Sequence, residues 1–201
     1  MRMGICDDEM EKYLMSLDRE VEYDERIVPV KLFSLKKYAN EHNKTMLDRI
    51  RKRQYVYESK DYGDKTILGH CPAPDKLYLK QGAQVMIIRN ISKSIVNGSM
   101  GTVVGFKYVK DKGTFQPEVE IFSRSNLKKK IVVNNMSWET VDPKGNITSR
   151  RTQLPIILSW AITIHKSQGQ SIPALYVDFK GIFEYGQAYV ALSRALDSST
   201  K

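Results

Sequence analysis

Residues 154–170 read Leu-Pro-Ile-Ile-Leu-Ser-Trp-Ala-Ile-Thr-Ile-His-Lys-Ser-Gln-Gly-Gln, an apolar run that turns abruptly polar. Leu154 to Ser159 has the composition of a strand buried on both faces. Trp160 to Gly169 reads as a short helix, Ala174 to Phe179 as a second buried strand, and Gly186 to Leu196 as the next helix. Strand, helix, strand, helix predicts an α/β fold with a parallel sheet. Ligands of such sheets gather at the C-terminal ends of the strands. Thr163, His165, Lys166, Ser167 and Gln168 follow directly after the apolar run, and Gly169 lets backbone approach closely. Phosphates and bases suit that set, and a capped helix start with solvated side chains fits the composition equally well.

Upstream, Asp8 to Val21 spaces its apolar residues as an amphipathic helix does. Ile27 to Phe33 reads as a strand, and Ser34 then caps a helix from Leu35 to about Arg53. The basic end of that helix, Arg49 to Arg53, also suits the helix macrodipole. Cys71-Pro72-Ala73-Pro74 makes a stiff connector. Leu77 to Leu79 and Ala83 to Arg89 read as strands around a turn at Lys80-Gln81-Gly82. From 96 to 151 turn signals crowd together, with candidate strands at Thr102 to Tyr108, Pro117 to Phe122 and Lys130 to Val133. That pattern suggests a small SH3-like β-barrel at 96–151, inserted in an α/β domain made of 1–95 and 152–201.

Lys plus Arg number 32 against 23 Asp plus Glu, a net charge of +9, which favours a polyanionic partner. The basic runs Lys107/Lys110/Lys112, Lys128 to Lys130 and Arg150-Arg151 are candidate contacts. A solvated rim explains the Lys128 run as well. Trp138 and Trp160 are read as core before base stacking. No stretch approaches the ~20 apolar residues of a membrane span. The two cysteines, Cys6 and Cys71, do not suggest a disulfide framework, and no His/Cys spacing suggests a metal. An intracellular setting is expected.

No GxxxxGK[ST] loop occurs in the 201 residues, so the cradle for ATP phosphates is missing. Asp7-Asp8-Glu9 lacks the long apolar strand that should precede a magnesium-binding pair. In the second cluster, Tyr185 to Arg194, the cation of Arg194 lies among apolar residues and needs an anion. A structural salt bridge or a triphosphate from a facing domain would each serve.

In register, these segments say more than any one of them. TIHKSQGQS at 163–171 and GQAYVALSRA at 186–195 resemble the fifth and sixth motifs of PIF-type helicases, of the 5′-to-3′ branch of superfamily one. CPAPDKLYLKQGAQVMIIRN at 71–90, VNGSMGTVVGF at 96–106 and PVKLFSLKKYANEHNKTML at 29–47 resemble the same family in the same order. Arg2, Gly4 and the Leu14/Leu17 helix resemble the stretch after its third motif.

The resemblance implies the second RecA-like domain of an ATP-dependent DNA helicase, interrupted by the small β-barrel. It implies that Arg194 is an arginine finger toward the γ-phosphate. Thr163, His165, Lys166 and Ser167 would hold single-stranded DNA. Gln168 and Gly169 would couple that grip to the nucleotide. Ser34, which replaces a common proline of the fourth motif, joins the DNA-contacting set. ATP and Mg²⁺ would be held mainly by an N-terminal RecA-like domain in cis. The expected partners are single-stranded, forked or structured DNA. A monomer is expected, with no membrane partner, in the nucleus or mitochondrion of a eukaryote. The alternatives are a non-catalytic nucleic-acid-binding module, or the helicase part of a transposon or viral replication protein.

Overall fold

The computed structural model describes residues 8–16, 28–122, 129–170, 172, 174–178 and 186–194. Arg2, Gly4, Asp7, Leu17, Lys128 and Tyr185, all used above, lie outside them, as do the expected ends of several elements. The chain divides into two compact units, residues 1–45 with 160–201, and residues 46–159.

The first unit is built on a parallel sheet. Its middle strand is β1 (Val30–Phe33), in which Val30 and Leu32 are fully buried while their neighbours are half-buried. The first helix, α1 (Asp8–Ser16), precedes β1 in the chain, and α2 (Lys36–Arg49) follows it. Ala39, Asn43 and Leu47, four residues apart, form the buried face of α2. The helix stops at Arg49, so Arg51, Lys52 and Arg53 follow it in the chain instead of lying on its last turn.

Residues 46–159 form mainly antiparallel structure. The stretch 54–74, which the sequence left without elements, holds β2 (Gln54–Glu58), β3 (Lys60–Gly63) and α3 (Lys65–Gly69). Asp64 caps α3 by accepting from the Thr66 N–H at 2.7 Å. The two strands expected around the turn are present as β4 (Lys76–Lys80) and β5 (Gln84–Ile87), with Gly82 at a φ of 97° between them, but they enter different sheets, β4 pairing with β2 and β5 with β6 and β11. β6 (Met100–Val109), β7 (Thr114–Ile121) and β8 (Lys129–Val132) follow where strands were expected. β9 (Met136–Val141) and β10 (Ile147–Gln153) were not among the expected strands.

Residues 154–169 depart from the expected strand and helix. Residues 156–158 are β11 (Ile156–Leu158), and they pair antiparallel with β5 instead of entering a parallel sheet. The expected helix at Trp160 to Gly169 is instead β12 (Ala161–Thr163) followed by a 3₁₀ turn at His165–Ser167. A long apolar run does not reveal that it is two strands, and Ala161 to Ile164 buries completely as β structure. β12 and the later strand β13 (Leu175–Val177) flank β1, both parallel to it. The last helix is α4 (Gln187–Leu192).

The larger sheet has the order β11-β5-β6-β7-β8, and β3-β10-β9 and β2-β4 form separate sheets. No closed barrel forms among the described residues. Residues 46–95 fall in the same unit as 96–151, because β5 pairs with β6 and β11 pairs with β5. Gly101 is required where β6 meets β7: an added Cβ would lie 2.4 Å from the Glu120 carbonyl oxygen.

Polar side chains fasten both units. In the first, Asn43 Nδ2 donates to the Ala161 carbonyl at 2.7 Å, and the Ala161 N–H returns a bond to Asn43 Oδ1 at 2.9 Å. β12 is an edge strand of its sheet, so the amide completes its outer backbone. In the second, Arg151 makes a two-pronged pair with Asp61 at 2.9 and 2.6 Å and donates to the Ala73 carbonyl at 2.9 Å. Gln153 Nε2 donates to the carbonyls of Tyr57 and Pro74. Arg151, expected on a nucleic-acid face, is thus a buried tie within the fold.

Replacing Asn43 with Ala orphans two buried backbone groups and should cost about 2–4 kcal/mol in denaturant unfolding. Asn43→Asp, which keeps the size but removes the amide donor, should cost at least as much; a neutral result would mean that the amide bonds do not anchor β12. The Asp61 carboxyl is held below its ordinary value, chiefly by the Arg151 hydrogen bond. The unfolded chain therefore protonates at higher pH than the folded one. The stabilisation from this pair is complete above the ordinary carboxylate range and disappears as pH falls through Asp61's folded pKa. Stability measured against pH should lose part of its acid slope in Asp61→Asn.

Candidate nucleic-acid and nucleotide site

The C-terminal edge of the parallel sheet is where β1, β12 and β13 all end. The Ile164 N–H donates to the Phe33 carbonyl at 3.0 Å, and the Asp178 N–H to the Leu32 carbonyl at 3.2 Å. These bonds bring Ser34, the Thr163 to Gly169 turn and Asp178 to one edge. Asp178 was not singled out in the sequence, because nothing local distinguishes it from any acid after a strand.

The turn after β12 is locked from within. Its Lys166 N–H donates to Thr163 Oγ1 at 3.3 Å. Ser167 Oγ donates to the Ile164 carbonyl at 2.7 Å, and the Ser167 N–H donates to the same oxygen at 3.1 Å. Ser167 is fully buried and Thr163 nearly so, whereas His165, Lys166, Gln168 and Gly169 are exposed. The expected DNA-contacting set therefore divides. Thr163 and Ser167 shape the turn, and His165 and Lys166 are presented by it. Ser34 is buried at the end of β1. Gly169 has a φ of 72° with open space around it, so its requirement is conformational.

Arg194 lies just past α4, whose N-cap Gly186 has a φ of 79°. Its Nε donates to the Val190 carbonyl at 3.1 Å, one Nη to the Gln170 carbonyl at 3.4 Å, and the other to Ser193 Oγ at 2.9 Å. The Ile172 N–H donates to the Arg194 carbonyl at 2.9 Å. Neither a carboxylate nor a salt bridge satisfies Arg194 among the described residues. Its guanidinium is folded onto backbone oxygens, with N–H groups left over for an anion. Gln187, at the start of α4, is buried with neither amide atom bonded, a costly state that the sequence did not signal.

The other basic and aromatic candidates are largely engaged. Lys107 pairs with Glu118 and Arg150 with Glu139, each at 2.7 Å. Lys129 donates to Ser94 and Lys112 to Asn134. Trp160 is core, as expected. Trp138 is half-buried instead, with the Arg89 guanidinium 5.5 Å from its ring centroid.

Comparison with known proteins gives one consistent answer. The family profile described as the 2B domain of DNA helicase Pif1 matches residues 64–106. The ATP-dependent DNA helicase PIF1 of Xenopus laevis is 35% identical over 97% of this chain, which spans 30% of that protein. The crystal structure of Pif1 helicase from Candida albicans superimposes with a TM-score of 0.81 at 34% identity, over 98% of this chain and 50% of that one. This chain corresponds to the C-terminal part of a Pif1-type DNA helicase. A Bacteroides Pif1 helicase in complex with ADP-AlF3 and ssDNA shares the fold, with a TM-score of 0.66 at 24% identity, over 97% of this chain and 44% of that one. The parallel sheet with its C-terminal edge and the mixed sheets of the second unit thus belong to the C-terminal region of the Pif1 helicase fold.

Ser167→Ala removes the hydroxyl bond that closes the turn. It should lower stability by about 0.5–1.5 kcal/mol. Lys166→Ala should leave stability unchanged but flatten the salt dependence of oligonucleotide binding by about one unit of slope. Equal stability loss in both variants would contradict the division between shaping and presented residues.

Proposed function

We propose that the chain is the DNA-gripping and nucleotide-capping half of an ATP-dependent helicase that moves 5′ to 3′ on single-stranded DNA and opens forked or structured duplexes. The observation that carries this reading is the joining of the two motif regions. The turn that presents His165 and Lys166 continues into Gln170 and Ile172, and both of these are hydrogen-bonded to Arg194. A shift of the turn is therefore felt at the arginine.

Each group has a task in this reading. Lys166 and His165 contact phosphates without regard to sequence. Ser34, Thr163 and Ser167 hold the backbone that carries them. Gln168 and Gly169 transmit movement toward the nucleotide. Arg194 exchanges its backbone oxygens for the γ-phosphate of ATP, and so stabilises transferred charge without itself binding the base. A guanidinium without a carboxylate partner among the described residues fits that anion. ATP with Mg²⁺ would be held mainly by an N-terminal RecA-like domain in cis, since the chain contains no GxxxxGK[ST] loop. The Bacteroides protein of the same fold, in complex with ADP-AlF3 and ssDNA, supports a frame that takes both ligands. We also assign residues 96–151 to a small insertion in the helicase domain, and the whole protein to a monomer working inside the cell.

In the full-length protein, Arg194→Ala should leave ATP binding close to wild type and lower DNA-stimulated turnover by about a thousandfold. Near-normal turnover in that variant would refute the finger assignment.

A further inference from the structure

One face of the β6–β7 hairpin is aromatic and faces outward. Tyr108 and Phe115 are cross-strand partners near its tip. Phe106 lies two residues before Tyr108 and so projects from the same face. Tyr55 of β2 stacks on Phe106 with ring centroids 3.8 Å apart and meets Phe115 edge-on at 5.6 Å. Tyr108 meets Phe115 edge-on at 5.3 Å. The Tyr57 hydroxyl donates to the Phe115 carbonyl at 3.1 Å, which fixes the hairpin against β2. Burial holds the Tyr57 phenol above its ordinary pKa, so it remains a neutral donor.

This cluster is not a core. Tyr108 is 57% exposed and Phe115 39% exposed, although each is held in place by neighbouring rings. Rigid, exposed rings lose little entropy on binding. The adjoining charge is positive. The Arg53 guanidinium lies 5.1 Å from the Tyr55 ring centroid, exposed Arg51 and Lys52 precede it, and exposed Lys110 stands at the hairpin tip beside Asp111. Exposed rings interleaved with cations suit a strand whose bases are unpaired and whose backbone is anionic.

We propose that Tyr108 and Phe115, backed by Tyr55 and Arg53, form a second binding site for single-stranded nucleic acid, on which one or two unpaired bases stack. The site lies wholly within residues 46–159 and shares no residue with the turn after β12. It takes its partner class from the nucleic-acid reading above and adds a separate contact, independent of ATP.

The test is a fluorescence-anisotropy titration of the 201-residue chain with a single-stranded oligonucleotide at several salt concentrations. Tyr108→Ala should weaken binding by about tenfold with the salt slope unchanged, because stacking releases no counterions. Tyr108→Trp should restore it. An oligonucleotide carrying abasic sites should bind wild type as weakly as the intact one binds Tyr108→Ala, and should be insensitive to the substitution. Phe115→Leu should act in the same direction; if it fails to fold, Tyr108→Ala on an exposed side chain still decides. Unchanged affinity in Tyr108→Ala, or an equal loss with the abasic strand, would overturn the stacking site. So would a concentration-dependent dimer abolished by Tyr108→Ala with DNA affinity intact. If affinity responds to Lys166→Ala but not to Tyr108→Ala, only the second site is lost. If wild type binds no oligonucleotide, the nucleic-acid reading itself fails and the patch goes with it.

Discussion

Two hydrogen bonds between Asn43 and Ala161 hold the part of the molecule on which the site depends. β12 is only three residues long and lies at the edge of its sheet. One side of its backbone is satisfied by β1, and the other would be bare. A helix cannot extend a sheet, but one amide side chain offers a donor and an acceptor in the geometry of a neighbouring strand. Asn43 therefore anchors the start of β12, just ahead of the turn that presents Lys166. Seen this way, a buried asparagine on α2 belongs to the site as firmly as the exposed lysine does.

The larger unit uses the same device with charge added. Arg151 and Gln153 alternate on β10 and reach the segment 57–75, where carbonyls of Tyr57, Ala73 and Pro74 would otherwise lack partners. Pro72 and Pro74 lack N–H donors, so residues 71–74 cannot form a continuous sheet ladder. Side chains from β10 supply the missing donors. Arg151 can be placed there because Asp61 neutralises it at contact distance. A cation in a basic stretch can thus belong to the fold entirely.

The site itself has a rigid and a responsive component. Hydroxyls of Thr163 and Ser167 tie the turn to itself and to the end of β12. Arg194, by contrast, rests on carbonyl oxygens through bonds of unequal quality, the one to Gln170 being long at 3.4 Å. Such bonds are easily exchanged for a stronger, charge-assisted partner. The backbone bond from Ile172 remains whichever way the side chain turns. A moving arginine on a fixed backbone tie connects an anion site with a strand-gripping turn without requiring either to deform.

The sequence alone determined much of the chemistry. Its motifs, in order, carried the resemblance to the helicase family, and no GxxxxGK[ST] string occurs in its 201 residues. Strands with strong alternation or turn signals, such as β1, β4 to β8 and the Gly82 turn, could be read locally because their patterns depend on near neighbours. What the sequence could not decide was which strand pairs with which. The run from Leu154 to Ile164 is uniformly apolar, so it conceals the break between β11, antiparallel to β5, and β12, parallel to β1. Nor could it tell a lysine on a surface from an arginine tied to Asp61, or a serine facing DNA from one bonded to Ile164. Those outcomes depend on partners 90 or 118 residues away for Arg151 and Asn43. They exist only once the tertiary structure has brought the partners together, because burial and hydrogen-bond satisfaction belong to the assembled neighbourhood and not to the residue.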